Sequence, residues 1–89
     1  MPTSIFVKKI IFVHMLEKEK QKFIVQFGKN LRDIRKIKEI TQAQLAADTN
    51  MEISQISRIE RGVVNTSLGN MYILAKVLKV PLSDLVKDL

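Results

Sequence analysis

The chain has no cysteine, so neither a disulfide framework nor a thiolate metal site is available, and packing alone must hold the fold together. That suits a reducing cytoplasm, the expected location. The single histidine, His14, stands apart from any carboxylate pair or nucleophile, and metal ligation needs more donors than that. Three glycines, at 28, 62 and 69, are too scattered for a phosphate-cradling loop. No run of about 18 apolar residues exists that would span a bilayer. The nearest stretch, residues 5–13, is interrupted by Lys8 and Lys9 and lacks the charge segregation of an interfacial helix. It is followed by Glu17-Lys18-Glu19-Lys20, without the small-residue cleavage site of a secretory leader. The expectation is therefore a non-enzyme, with no cofactor, no metal and no membrane partner.

What remains is a short basic chain. Its 89 residues leave room for one modest core, and a hydrophobic fraction of 46% is ample to form it. The net charge of +6 favours an anionic partner, nucleic acid first. Residues 1–22 carry five Lys against two Glu. Residues 23–40 carry Lys29, Arg32, Arg35, Lys36 and Lys38 against Asp33 and Glu39. Residues 41–62 are slightly acidic, so the long-range attraction lies mostly outside them.

Along the chain, residues 4–13 (SIFVKKIIFV) are rich in Ile, Val and Phe, a composition that favours a strand. Such a strand has no partner in an otherwise helical chain and would have to pair with a second copy. The alternatives are a packed helix, or a start at Met15 that leaves residues 1–14 as an upstream extension. From about Leu16 the pattern is helical. Phe23, Phe27, Leu31 and Ile34 form one apolar stripe on a helix ending near Lys38, with Gly28 on its edge. Thr41 and Gln44 fit a capping box. The helix they open buries Leu45 and Ala46 and stops at Thr49-Asn50. A further helix spans about 53–61, with Ile56 and Ile59 inward and Gly62 as its stop. Thr66 or Ser67 caps a fourth, whose core face is Leu68, Met71, Leu74, Ala75 and Leu78. Pro81 breaks that helix and suits the first turn of a fifth, which carries Leu82, Leu85 and Val86.

Two helices of about eight residues joined by a turn of three or four have helix-turn-helix geometry. Close crossing needs a small residue, and Ala46 is one. The turn needs tolerance of positive φ, which Asn50 has. An apolar plug must follow, and Met51 supplies it. The segments FGKNLRDIRK, ITQAQLAADTNMEISQISRIERG and SLGNMYILAKVLKVPLSDLV occur in that order and without a gap. Residues 27–88 thereby resemble the Cro/cI-type, or xenobiotic-response-element, helix-turn-helix regulators. The resemblance implies an all-α, five-helix phage-repressor-like DNA-binding domain over residues 23–89, with its helix-turn-helix at 41–61. The extension 1–22, strand or helix, is a candidate dimerising element.

The resemblance combined with helical geometry assigns roles. Ile53, Ser54, Gln55 and Arg58 are the expected base-reading residues: Gln55 for adenine, Arg58 for guanine or phosphate, Ile53 for a thymine methyl or, equally, for the core. Gln42, at a helix N-terminus, matches the family's phosphate-contacting glutamine, and Ser57, Arg61, Asn65 and Thr66 join it as backbone contacts. Arg35 and Glu60 correspond to the family's buried ion pair. Two positions depart from the family pattern: Asn50 replaces the turn glycine, and Glu52 replaces the small N-cap. The Glu52 carboxylate either suits the helix N-terminus or accepts from a cytosine amino group. The expected function is sequence-specific binding of double-stranded DNA as a small transcriptional regulator, a homodimer on a two-fold operator, with polymerase contact as one route of action. The competing reading is an antitoxin-like module whose partner is a toxin and whose DNA binding is autoregulatory.

Overall fold

The structure, a computed structural model, describes residues 4–88. Five helices follow one another: α1 (Ile5–Ile37), α2 (Gln42–Thr49), α3 (Ile53–Glu60), α4 (Leu68–Leu78) and α5 (Leu82–Leu85). No strand occurs among the described residues. The fold is the all-α, five-helix repressor-like domain the sequence implies, with the N-terminal segment, left open as strand or helix, a helix; Leu68, expected on the core face of the fourth helix, is instead exposed.

Instead of beginning near Leu16, α1 runs unbroken from Ile5 through 33 residues. A lone strand would leave its backbone N–H and C=O groups unpaired, whereas a helix satisfies them internally. Extending a helix that already exists also avoids the costly nucleation step, so β-branched composition is outweighed. Ser4 supplies the start, its hydroxyl accepting from the Val7 amide at 3.2 Å. The helix passes residues 22 and 23 without a break. Burial changes there: every described residue through Lys22 is exposed, and packing begins at Phe23. The molecule is 59 Å long and only 22 by 19 Å across, an arm rising from a small bundle.

The bundle forms around Leu31, Leu45, Ile56, Ile59, Leu74, Leu78 and Leu85, all fully buried. Each such side chain stabilises the fold by about 1.5–3 kcal/mol on burial. Gly28 lets α1 and α3 touch backbone to backbone. A Cβ there would fall against the Ile59 carbonyl oxygen and within 2.8 Å of the Glu60 carbonyl oxygen. Asn30, on the same buried face, donates through Nδ2 to the carbonyls of Leu85 and Lys87 at 3.0 and 2.9 Å, tying the chain's end to its first helix. Ser67 caps α4 through the Asn70 amide. Pro81 is the cap residue of α5 and not its first helical residue.

Candidate nucleic-acid interface

The α2–α3 unit is built by local chemistry. Thr41 Oγ1 accepts from the Gln44 amide at 3.0 Å, and Gln44 Oε1 accepts from the Thr41 amide at 2.8 Å, a reciprocal capping box. At the other end Asn50 adopts φ 57° and ψ 36°, the left-handed conformation that ends α2. The Met51 amide then donates to the Ala46 carbonyl at 3.0 Å, and the half-buried Met51 side chain packs on the core. Ala46 is buried at the crossing. After α3, Gly62 (φ 71°) turns the chain; a Cβ there would approach the Val25 Cα to 2.8 Å.

These constraints fix which side of α3 faces outward. Ile56, Ile59 and Glu60 are buried. Ser54, Arg58 and Arg61 are exposed, and Ile53 keeps 51% of its surface in solvent despite being apolar. Gln55 and Ser57 are half-buried. Gln55 lies at the third position of α3, and its Oε1 takes a long 3.5 Å hydrogen bond from the Glu52 amide, leaving its NH2 group unused by that contact. The Glu52 side chain is exposed beside it. In the following loop Asn65 is exposed, and Thr66 is half-buried with its hydroxyl accepting from Asn70 Nδ2 at 3.1 Å.

Beneath this surface lies a polar network joining three helices. Arg35 Nε donates to Glu60 Oε2 at 2.6 Å and Nη2 to Oε1 at 3.0 Å, a two-pronged pair between almost fully buried side chains. Arg35 Nη1 donates to the Ile40 carbonyl at 2.9 Å. Gln42 Nε2 donates to Glu60 Oε1 at 3.0 Å, so this side chain braces the network, with α2 anchored to α3. Hydrogen bonding to Glu60 raises the Arg35 pKa above its ordinary value, outweighing the opposing effect of desolvation, and the Glu60 charge adds to the rise. No buried side-chain polar atom lacks a partner among the described residues.

Three residues not singled out from the sequence take part. Gln21 Nε2 donates to the Gly62 carbonyl at 3.2 Å and connects the base of the arm to the end of α3; no spacing rule reveals a pair 41 residues apart. Asn70 orients Thr66 in the loop. Asn30 could have been noticed as the one amide beside Leu31 on the apolar stripe of α1.

The helix-turn-helix family model (HTH_3) matches residues 31–85. The chain is 33% identical over 66 residues to control protein C.MunI from Mycoplasma sp, covering 73% of this chain and 89% of that protein. It superposes on the restriction-modification controller protein C.AhdI from Aeromonas hydrophila with a TM-score of 0.68, at 35% identity, covering 70% of this chain and 94% of the other. The hypothetical transcription factor NHTF from Neisseria gives a TM-score of 0.69 at 26% identity, over 72% and 74% of the two chains. With the turn at Asn50, the crossing at Ala46 and the exposed face of α3 in place, the chain belongs to the Cro/cI-type (xenobiotic-response-element) helix-turn-helix family of DNA-binding transcriptional regulators.

Proposed function

We propose that the protein binds a specific double-stranded DNA operator by inserting α3 into the major groove, and regulates transcription from it. The observation that carries this reading is the division of α3, whose buried side holds Ile56 and Ile59 while Ile53, Ser54 and Arg58 stand in solvent. An α-helix is about 10–12 Å across with its side chains, a thickness that the major groove, about 12 Å wide, admits. Arg58 suits the O6 and N7 acceptors of guanine, the Gln55 amide suits adenine, and exposed Ile53 suits a thymine methyl. Gln42, Ser57, Arg61, Asn65 and Thr66 flank α3 and serve the phosphates, together with the free amides at the α2 N-terminus. Because Gln42 already donates to Glu60, its phosphate contact uses the second amide hydrogen.

Eight residues read few base pairs, so two copies act on a two-fold operator with their α3 helices 34–36 Å apart, one duplex turn. Exposed Leu68, Tyr72, Ile73 and Leu82 on α4 and α5 provide apolar surface for that operator dimer. The relatives named as control and controller proteins support regulation as the outcome of binding. In fluorescence-anisotropy titrations, Arg58→Ala and Gln55→Ala should each weaken the selected operator by about 5- to 150-fold, the value of a bidentate base contact, and random DNA much less. Equal losses on both DNAs would defeat the base-reading assignment.

A further inference from the structure

We infer that the arm of α1 is a second self-association surface, at which two copies pair antiparallel as a short coiled coil. This inference stands apart from the DNA-binding reading, which it uses only for the comparison of spacings below. Among the described residues, nine of the sixteen exposed large apolar side chains lie within residues 5–16. They are 45–85% exposed, which amounts to on the order of 1,000 Å² of apolar surface, more than the 300–600 Å² of a usual largest patch. Ile5, Ile11, Phe12, Met15 and Leu16 lie on or beside one side of the helix, so a single paired helix covers part of that area. The helix start bears no polar side wide enough for a membrane surface, and no described helix is long and apolar enough to cross one.

The pattern of the arm specifies its partner. Ile5, Lys8, Phe12, Met15, Glu19 and Lys22 recur at alternating spacings of three and four, one seam of a 3.5-residue repeat. In an antiparallel pair centred between Val13 and His14, this seam is complementary to itself. Phe12 packs on Met15 of the second copy, Lys8 meets Glu19, and Ile5 lies level with Lys22, each contact occurring twice. In a parallel pair Lys8 would meet Lys8 and Glu19 would meet Glu19, so charge selects the antiparallel arrangement. Among the described residues of one chain Glu19 pairs with Lys22 at 3.9 Å, with both side chains more than 70% exposed, a pairing readily exchanged for an intermolecular one. At the foot of the seam an open groove lined by Glu19, Lys22, Phe23 and Gln26 receives the start of the second helix.

The geometry separates this contact from the operator dimer. Gly28, where α3 touches α1, lies about 22 Å along the helix from the centre of the pair at 1.5 Å per residue. Paired arms therefore hold these two contact points, at the C-terminal ends of the α3 helices, about 44 Å apart along the axis, against the 34–36 Å of one duplex turn. The arm is also a different surface from Leu68, Tyr72, Ile73 and Leu82 of α4 and α5, so the two contacts form independently.

The test needs no DNA. In sedimentation equilibrium, Phe12→Glu should lower the mass of the wild-type assembly at least twofold, with helicity checked by circular dichroism. Lys8→Glu and Glu19→Lys should each weaken association by about tenfold or more, replacing two attractions by two repulsions, and the double variant should return to within about threefold of wild type. Since the natural chain has no cysteine, Ile5→Cys and Lys22→Cys chains mixed and oxidised should link unlike to unlike. Linking of Ile5→Cys chains to each other would establish the parallel pair and overturn the proposal. So would an unchanged mass for Phe12→Glu, a double charge variant no better than the singles, or wild-type arms that bind phosphatidylglycerol vesicles while the protein sediments as though the arm were unpaired.

Discussion

Gly28→Ala separates a reading based on helix propensity from one based on packing. In a helix interior alanine is favoured over glycine by about 1 kcal/mol, so propensity alone expects stabilisation. Here the new methyl would fall against the Ile59 carbonyl oxygen and within 2.8 Å of the Glu60 carbonyl oxygen. Both obstacles are backbone, and neither can swing aside as a side chain would. To restore ordinary contact, α3 must withdraw from α1 by about 1 Å, a strain of the kind that costs roughly 1–3 kcal/mol in packed cores. The withdrawal also stretches the 2.6 Å Arg35–Glu60 bond, adding part of the cost of a weakened charge-assisted hydrogen bond, which is worth about 1.5–3 kcal/mol. Net of the propensity gain, the loss should be about 1–3 kcal/mol, or a fall in Tm of roughly 5–20 °C for a domain this small. Gly69→Ala is the internal control, because the nearest atom to its Cβ is Ser67 Oγ at 3.9 Å. That variant should gain about 0.4–1 kcal/mol. Thermal melts followed by circular dichroism decide the matter: a Gly28→Ala protein melting at or above wild type would refute the backbone contact.

Arg35→Met should cost about 3–5 kcal/mol in urea unfolding, because it strands a buried Glu60 charge; a cost below about 1 kcal/mol would place the pair in solvent. Since the folded-state pKa of Arg35 is raised, its contribution is complete below the ordinary arginine pKa and is lost only as pH rises through the raised value. The difference between wild type and Arg35→Met should accordingly be the same at about pH 7 and about pH 10, and a difference that shrinks across this window would contradict the assignment. Asn50→Gly should leave stability within about 0.5 kcal/mol, whereas Asn50→Val at φ 57° should lose about 1–2 kcal/mol; equal midpoints for the two would mean that the turn does not require the left-handed conformation.

The helix-turn-helix was legible in the sequence because its determinants are local. Thr41 with Gln44, Asn50, and Gly62 each announce a cap or a stop within three or four residues of their partners. The arm was not legible, since Ile, Val and Phe at 5–13 favour a strand by composition, and only continuity with the helix at Phe23 reverses that preference. Gln42 and Gln55 show a second limit. Sequence position placed them near the surface proposed to face DNA, but only three-dimensional proximity shows that Gln42 is already bonded to Glu60 and Gln55 loosely to the Glu52 amide. Gln21 and Asn30 reach partners 41 and 55–57 residues away, separations that no periodicity encodes.

The clamp between Asn30 and the carbonyls of Leu85 and Lys87 sets an order of events during synthesis. At about 5–20 residues per second, a ribosome completes the apolar arm at residues 5–16 and Asn30 several seconds before it makes Leu85 and Lys87, the latch that closes the bundle. For several seconds the growing polypeptide presents its greasiest stretch to its surroundings beside a core that cannot yet shut.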